Sequence, residues 1–292
     1  MFMAKIIFIY STLFLLSFNS YGQNDTVDVQ VTNVVPANFI QTIEREEPVY
    51  RLKPAVDIPV TAIGAGWSGY AFTKVYSKDP STHEQIRNLR KEDINGFDRW
   101  AADVYSEKAA KTSDLFFYGS MPLPILLLAD KHIRKDVGKI GFLYLEAMSV
   151  TGLLYTGSTY LFDRYRPLTY NANAPMDERM GGGAKNSFFA GHVALVGTST
   201  FFAAKVFSDY NPDSKMKWVF FGGAALATGA TGYLRHRGGK HFPSDILIGT
   251  TVGTLSGILV PHFHKHKLLK KSNLSIIPFS GRSHGLMAIY KL

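Results

Sequence analysis

Three short segments of the 292-residue chain gather the side chains best suited to chemistry. Arg164-Tyr165-Arg166-Pro167 closes one apolar stretch and Lys185-Asn186-Ser187-Phe188-Phe189-Ala190-Gly191-His192 opens the next. Arg235-His236-Arg237-Gly238-Gly239-Lys240-His241-Phe242-Pro243-Ser244-Asp245 lies between two more. In His241-x-x-x-Asp245 the spacing lets the carboxylate accept a hydrogen bond from one imidazole nitrogen. That fixes the tautomer and leaves the other nitrogen unprotonated and nucleophilic. His192 is then the candidate acid for a leaving oxygen, while Arg166 and Arg235 supply the bidentate donors that clamp phosphoryl oxygens. Antiparallel helices would bring all three segments to one face. The N-termini of two helices would then add free N–H groups to a pocket for a tetrahedral oxyanion. Each segment alone reads more simply, as a headgroup contact or a satisfied buried His–Asp pair. The three together, in order, point to chemistry.

The elements that must position them are helices. Six apolar stretches, roughly Pro59–Tyr76, Ser113–Ala129, Val137–Phe162, Ser187–Phe207, Lys217–Leu234 and Ser244–Phe263, have the length of long helices and no strand-like alternation. A shorter amphipathic piece, Phe97–Ala110, sits between the first two. Gly249, Gly253 and Gly257 recur every fourth residue, a small-residue ridge for close helix packing. Two apolar runs around Ser280-Gly281-Arg282-Ser283-His284-Gly285 suggest a terminal hairpin. The expected fold is therefore all-α: a helical bundle of about six core helices with a short C-terminal β-hairpin. The expected organisation is a signal peptide over 1–22, an extended arm over 23–57, a helical catalytic domain over 58–267, and a basic tail with the hairpin over 268–292.

The leader is read from a basic start at Lys5, an apolar run Ile6–Phe18 shorter than the ~20 residues of a membrane span, and the small residues of Ser20-Tyr21-Gly22. Export together with zero cysteines fits a bacterial envelope protein facing the periplasm, and it argues against nucleic acid or nucleotide cofactors. The missing cysteine also excludes disulfides, thiolate nucleophiles and Cys-ligated metals. A net charge of +9 calls for an anionic partner, either a phosphate or an acidic membrane surface. Mean hydropathy is zero, between a soluble enzyme and a fully embedded protein. Basic loops at 131–135, 215–217 and 265–267 follow the second, fourth and sixth stretches, a positive-inside pattern if the helices span. A cleaved leader puts residue 23 outside, so six crossings would place those loops outside too. Five crossings, or none, remove the conflict.

Three weaker patterns carry less. Gly64-Ala65-Gly66-Trp67-Ser68-Gly69 has the spacing of a dinucleotide loop without its strand–turn–helix setting, so helix packing is expected. His262, His264 and His266 alternate in a basic tail, point in different directions on a helix and have no carboxylate nearby, so a solvated or lipid-facing basic end is expected and no metal site is assigned. Gly181-Gly182-Gly183 reads as a flexible connection.

The three reactive segments resemble the type 2 phosphatidic acid phosphatase superfamily, which includes non-specific acid phosphatases and vanadium haloperoxidases. The family pattern is Lys, six residues, Arg-Pro; then Pro-Ser-Gly-His; then Ser-Arg, five residues, His, three residues, Asp. Arg166-Pro167, Gly191-His192 and Arg235/His241/Asp245 match it in order over residues 58–267. The resemblance implies that His241 is the nucleophile, forming a phosphohistidine, with Asp245 as its orienting partner. It implies His192 as the general acid, and Arg166, Arg235 and Gly191 as phosphate holders in metal-independent chemistry without a cofactor. Its substrate would be a lipid phosphate or small phosphate ester, at or near a membrane. Vanadate would be the cofactor only if the protein is a haloperoxidase instead. A third possibility is a non-enzymatic envelope protein with a degenerate site. Departures fall on binding groups: the motif Lys is Thr159, Pro-Ser is Phe189-Ala190, and the motif Ser is Leu234. Each lost hydrogen bond to the anion costs about 1.5–3 kcal/mol. Lys185, Arg164 and Lys240 are the candidates to replace the missing charge, with Lys185 assigned to substrate binding.

Overall fold

The computed structural model describes residues 48–266 and the backbone of 274–280 and 284–290. The expected signal peptide, most of the expected arm, residue 267 of the expected helical domain, and residues 268–273, 281–283 and 291–292 of the expected tail and hairpin lie outside the described residues. Six long helices form the described bundle: α1 (Pro54–Val75), α2 (Glu107–Ser120), α3 (Val137–Leu161), α4 (Gly191–Tyr210), α5 (Met216–Arg237) and α6 (Pro243–Phe263). The chain is all-α in its core. Two strands, β1 (Leu274–Ser280) and β2 (His284–Tyr290), pair antiparallel with Ile276 opposite Ala288.

Local signals set the helix ends. Proline occupies the first turn of α1 and α6, where its missing N–H costs nothing. Ser106 caps α2 by accepting from the Ala109 N–H at 3.3 Å. Pro122 and Pro124 stop α2, and the apolar stretch continues as a 3-10 turn, Leu123–Ala129. The amphipathic piece expected over Phe97–Ala110 is not one helix: residues 107–110 open α2 and the part before Ser106 is irregular. Only a 3-10 turn, Arg99–Ala101, forms there, and Asp103 takes a positive φ of 68° before Ser106 starts α2. Asp98 in this segment is buried and bonded to side chains distant in sequence, so tertiary contacts override the local periodicity.

The glycine ridge does close-packing work. A Cβ at Gly249, Gly253 or Gly257 would stand 2.6, 2.2 or 2.7 Å from the carbonyl oxygens of Ala190, Ala194 and Thr198 respectively. Thus α6 lies directly on the α4 backbone. Within the dinucleotide-like motif, a Cβ at Gly64 would be 3.0 Å from the Ser149 carbonyl, so α1 packs on α3 through small residues as expected.

The bundle interior is rich in hydroxyls. Thr151, Thr156, Thr198, Thr200, Thr228 and Thr231 are buried, each within reach of the carbonyl four residues earlier in its own helix, and Thr151 and Thr198 also bond to each other across α3 and α4 at 2.7 Å. The outside carries large apolar side chains instead. Ile63, Leu115, Leu126, Trp218 and Leu226 are among them, with Leu226 76% exposed. Large contiguous apolar surface of this kind suits lipid. Three segments, Glu107–Ala129, Val137–Leu161 and Pro243–Phe263, are long and apolar enough to cross a membrane. A cluster of Leu143, Phe202, Val206 and Ile133 fills the end of the bundle remote from the three reactive segments.

Replacing Gly253 by Leu should force α4 and α6 apart and destabilise the protein by roughly 1–3 kcal/mol or more. A melting temperature in detergent equal to that of the unaltered protein would show that the ridge is not a packing contact.

Candidate active site

The ends of α3 and α5 and the starts of α4 and α6 meet at one face, so the three reactive segments are neighbours. Their junction is the Asp245 carboxylate in the first turn of α6, which is fully buried. It accepts from the Arg164 guanidinium, from Ser187 Oγ at 2.7 Å and from the Phe242 N–H at 2.9 Å. Backbone bonds lace the first two segments together: Arg164 N–H to the Lys185 carbonyl at 2.8 Å, Ser187 N–H to the Arg164 carbonyl at 3.0 Å, and Arg166 N–H to the Ala184 carbonyl at 2.9 Å.

His241 is held differently from the expectation. Its Nδ1 donates to the Ser187 carbonyl at 2.7 Å, not to Asp245. Both Asp245 oxygens already serve Arg164, Ser187 and Phe242, so the carboxylate acts one step away, by fixing Ser187. The chemical result is the one required. A carbonyl accepts only from N–H, so the neutral ring carries its lone pair on Nε2. Burial, then the charges of Arg235 and Arg166, hold the His241 pKa well below that of an ordinary imidazole.

The α6 N-terminus is likewise not free for a ligand. The Phe242 N–H is taken by Asp245, and the Ser244 N–H by Asp98 Oδ1 at 2.9 Å. Asp98, unremarkable in sequence, also pairs with Arg164 Nη2 at 2.7 Å. Arg164 therefore bridges two buried carboxylates and has no role left for an anion. The α4 N-terminus has no side-chain cap. A Cβ at Gly191 would stand 2.6 Å from the Tyr155 ring, so glycine lets this helix start close over that ring.

His192, in the first turn of α4, places Nε2 3.3 Å from Asp114 Oδ1 and its ring 4.3 Å from that of Phe117. Burial, followed by the Arg235 charge, lowers its pKa to about 4. Arg235 is 4% exposed and donates from Nη1 to Ser113 Oγ at 3.2 Å, with Asp114 Oδ1 at 3.3 Å. Arg166 reaches the Asn186 carbonyl at 3.4 Å. The Nε atoms of both arginines are buried without a hydrogen-bond partner. Two guanidinium groups near one another, each with an unused buried donor, form a site shaped for an anion.

The candidate replacements for the motif lysine separate cleanly. The Lys185 ammonium donates to the Asp79 carbonyl at 3.0 Å, outside the cluster, and its backbone rather than its charge serves the site. Its assignment to substrate binding is therefore corrected. Lys240 pairs with Glu178 at 2.7 Å and feels both Arg166 and Arg235; burial lowers its pKa. Thr159 is buried, and its carbonyl accepts from Lys78 Nζ at 2.6 Å, an ammonium paired with Asp163. Asp114 was missed in the sequence. Its signal was a lone carboxylate near the start of an otherwise apolar stretch. The sequence reading of the alternating histidines also fails at His264, where the fold brings Asp57 to 3.1 Å and Glu146 to 3.7 Å.

Lys185→Met should leave the Michaelis constant for a phosphate ester unchanged within about twofold, in steady-state assays. A tenfold rise, about 1.4 kcal/mol, would return Lys185 to the site.

Residues 140–268 match the model of the PAP2 superfamily. The chain is similar to the first transmembrane PAP2 type phosphatidylglycerolphosphate phosphatase from Bacillus subtilis in its crystal structure. The match has 18% identity over 71% of this chain and 94% of that one, with a TM-score of 0.42. No curated protein matches the sequence.

Proposed function

From the match of residues 140–268 to the PAP2 superfamily model, we propose that the chain is a member of that superfamily and a membrane phosphatase that hydrolyses lipid phosphates or small phosphate monoesters. The observation that carries this reading is the pair of buried, unpartnered Nε–H groups of Arg166 and Arg235 beside two histidines. The open N-terminus of α4 adds backbone N–H groups to the same anion site.

The proposed reaction has two steps. His241 Nε2 attacks phosphorus, the bond from phosphorus to the ester oxygen breaks, and His192 gives that oxygen a proton. Water then attacks the phosphohistidine, His192 takes the water's proton, and phosphate leaves with His241 restored. Arg166 and Arg235 hold the equatorial oxygens, where charge is spread in the transition state. Lys240, tethered to Glu178, supplies the remaining positive charge near them. The anion itself favours protonated His192, offsetting the burial that keeps this ring neutral in the free site.

Charge placement supports an outward-facing site. The basic residues at 131–135, 215–217 and 265–266 lie at the opposite end of the bundle from His241. The positive-inside rule puts that end in the cytoplasm. The start of α1 lies at that same basic end, with the Arg51 N–H on the His264 carbonyl at 2.8 Å. This orientation is therefore compatible with the expected leader only if that segment stays as a membrane anchor instead of being cleaved. On those terms the proposed location is the cell envelope, with the site facing the periplasm.

His241→Ala should abolish phosphate release while leaving the melting temperature within a few degrees; full activity in that variant would refute the mechanism. The pH profile gives a second check. His192 is protonated in the free site only near its lowered pKa of about 4, and His241 stays neutral well below about 6.5. Both signs predict kcat/KM rising by about tenfold per pH unit as pH falls from 8 to 5. A fall over that range would show that one of the two roles is wrong.

A further inference from the structure

At the far end of α6, three ionisable side chains meet inside the bundle. His264 follows α6 about 28 Å along the helix axis from Asp245, at 1.5 Å per residue. Asp57 lies in the first turn of α1 and Glu146 within α3. They are 8%, 2% and 6% exposed, and their ligand atoms all lie within 4.8 Å of one another.

The imidazole orientation is informative. His264 Nδ1 lies 2.7 Å from the Val260 carbonyl oxygen, so Nδ1 carries the proton. In the neutral ring the Nε2 lone pair then points at two carboxylates, 3.1 Å from Asp57 Oδ1 and 3.7 Å from Glu146 Oε2. Glu146 Oε2 is buried and accepts no hydrogen bond. Two carboxylates and a lone pair in a water-poor interior repel one another unless a cation sits among them.

We propose that Asp57, Glu146 and His264 bind one divalent transition-metal ion, with zinc the best match. Zinc takes imidazole nitrogen and carboxylate oxygen at about 2.0–2.2 Å, so tetrahedral ligand atoms stand roughly 3.3–3.6 Å apart. The observed 3.1 and 3.7 Å bracket that spacing. An N–H held by a backbone carbonyl is the outer contact that orients a metal-binding histidine. The nitrogen ligand disfavours magnesium and calcium, which prefer oxygen. Ligands from α1, α3 and α6 would let the ion fasten the first helix to the bundle. The site is remote from the phosphate chemistry, and the inference stands whether or not the protein is a phosphatase.

The test uses the full chain purified in detergent without chelators. One zinc per chain by elemental analysis is expected, with a melting temperature lowered by chelation and restored by zinc but not by magnesium. Calorimetric zinc affinity should fall at least tenfold in Glu146→Gln and in Asp57→Asn, and persist in His192→Ala. Stripped protein that neither binds zinc nor changes its melting with it would overturn the proposal and leave a protonated His264 paired with the carboxylates. Zinc binding lost in His192→Ala but kept in Glu146→Gln would overturn it too, by placing the ion at the other end. If either carboxylate variant fails to fold, the titration of the unaltered chain still decides.

Discussion

The end of the bundle that carries the three reactive segments depends on one buried carboxylate. Asp245 ties the chain after α3, the chain before α4 and the first turn of α6 through three different donors. Every candidate reactive group except Arg235 and Asp114 sits within a few residues of one of those tie points. A buried charge is tolerable only when its partners are fixed and complete, and breaking such a set by removing one member costs about 3–5 kcal/mol. Asp245 is thus better described as the keystone of the site's frame than as the partner of His241. Orientation passes from its carboxylate to the Ser187 hydroxyl, and from the Ser187 carbonyl to the imidazole.

The same end concentrates positive charge that the protein does not fully neutralise. Arg164 is balanced by Asp98 and Asp245, and Lys240 by Glu178. Arg235 has only a share of Asp114 at 3.3 Å, and Arg166 has one long bond to a carbonyl. Holding these two like charges in the interior opposes folding, and an arriving dianion relieves the repulsion. Strain of this sort is expected where a site is prepared for a ligand instead of for itself.

Much of this was legible in the sequence, for identifiable reasons. The ordered Arg166, His192, Arg235 and His241, which the fold brings to one end, stood out through their clustering and the family resemblance. The long helices and the ridge of Gly249, Gly253 and Gly257 follow from the apolar pattern and spacing. Contacts between distant segments do not. Nothing local marks Asp98 as the second carboxylate of Arg164, or Asp57 and Glu146 as neighbours of His264. Lys185 looked like a site cation because it is near in sequence, yet its side chain leaves on the side of Asp79. The mean hydropathy of zero also finds its explanation in three dimensions: threonine, serine and glycine line the helix contacts, and leucine, isoleucine and tryptophan face outward.

The buried threonines carry a consequence for assembly. Because each has a carbonyl of its own helix within reach, none depends on a neighbour to satisfy its hydroxyl, and the Thr151–Thr198 bond across α3 and α4 forms only once the helices meet. In hydrocarbon an unmet donor is costly, so a segment that closes its own hydrogen bonds enters the bilayer alone without penalty. Satisfying these hydroxyls is thereby uncoupled from helix docking, the last stage of assembly, at which the glycine ridge seats α6 on α4. The reactive face, which needs charges from four helices at once, comes into being only at that last stage.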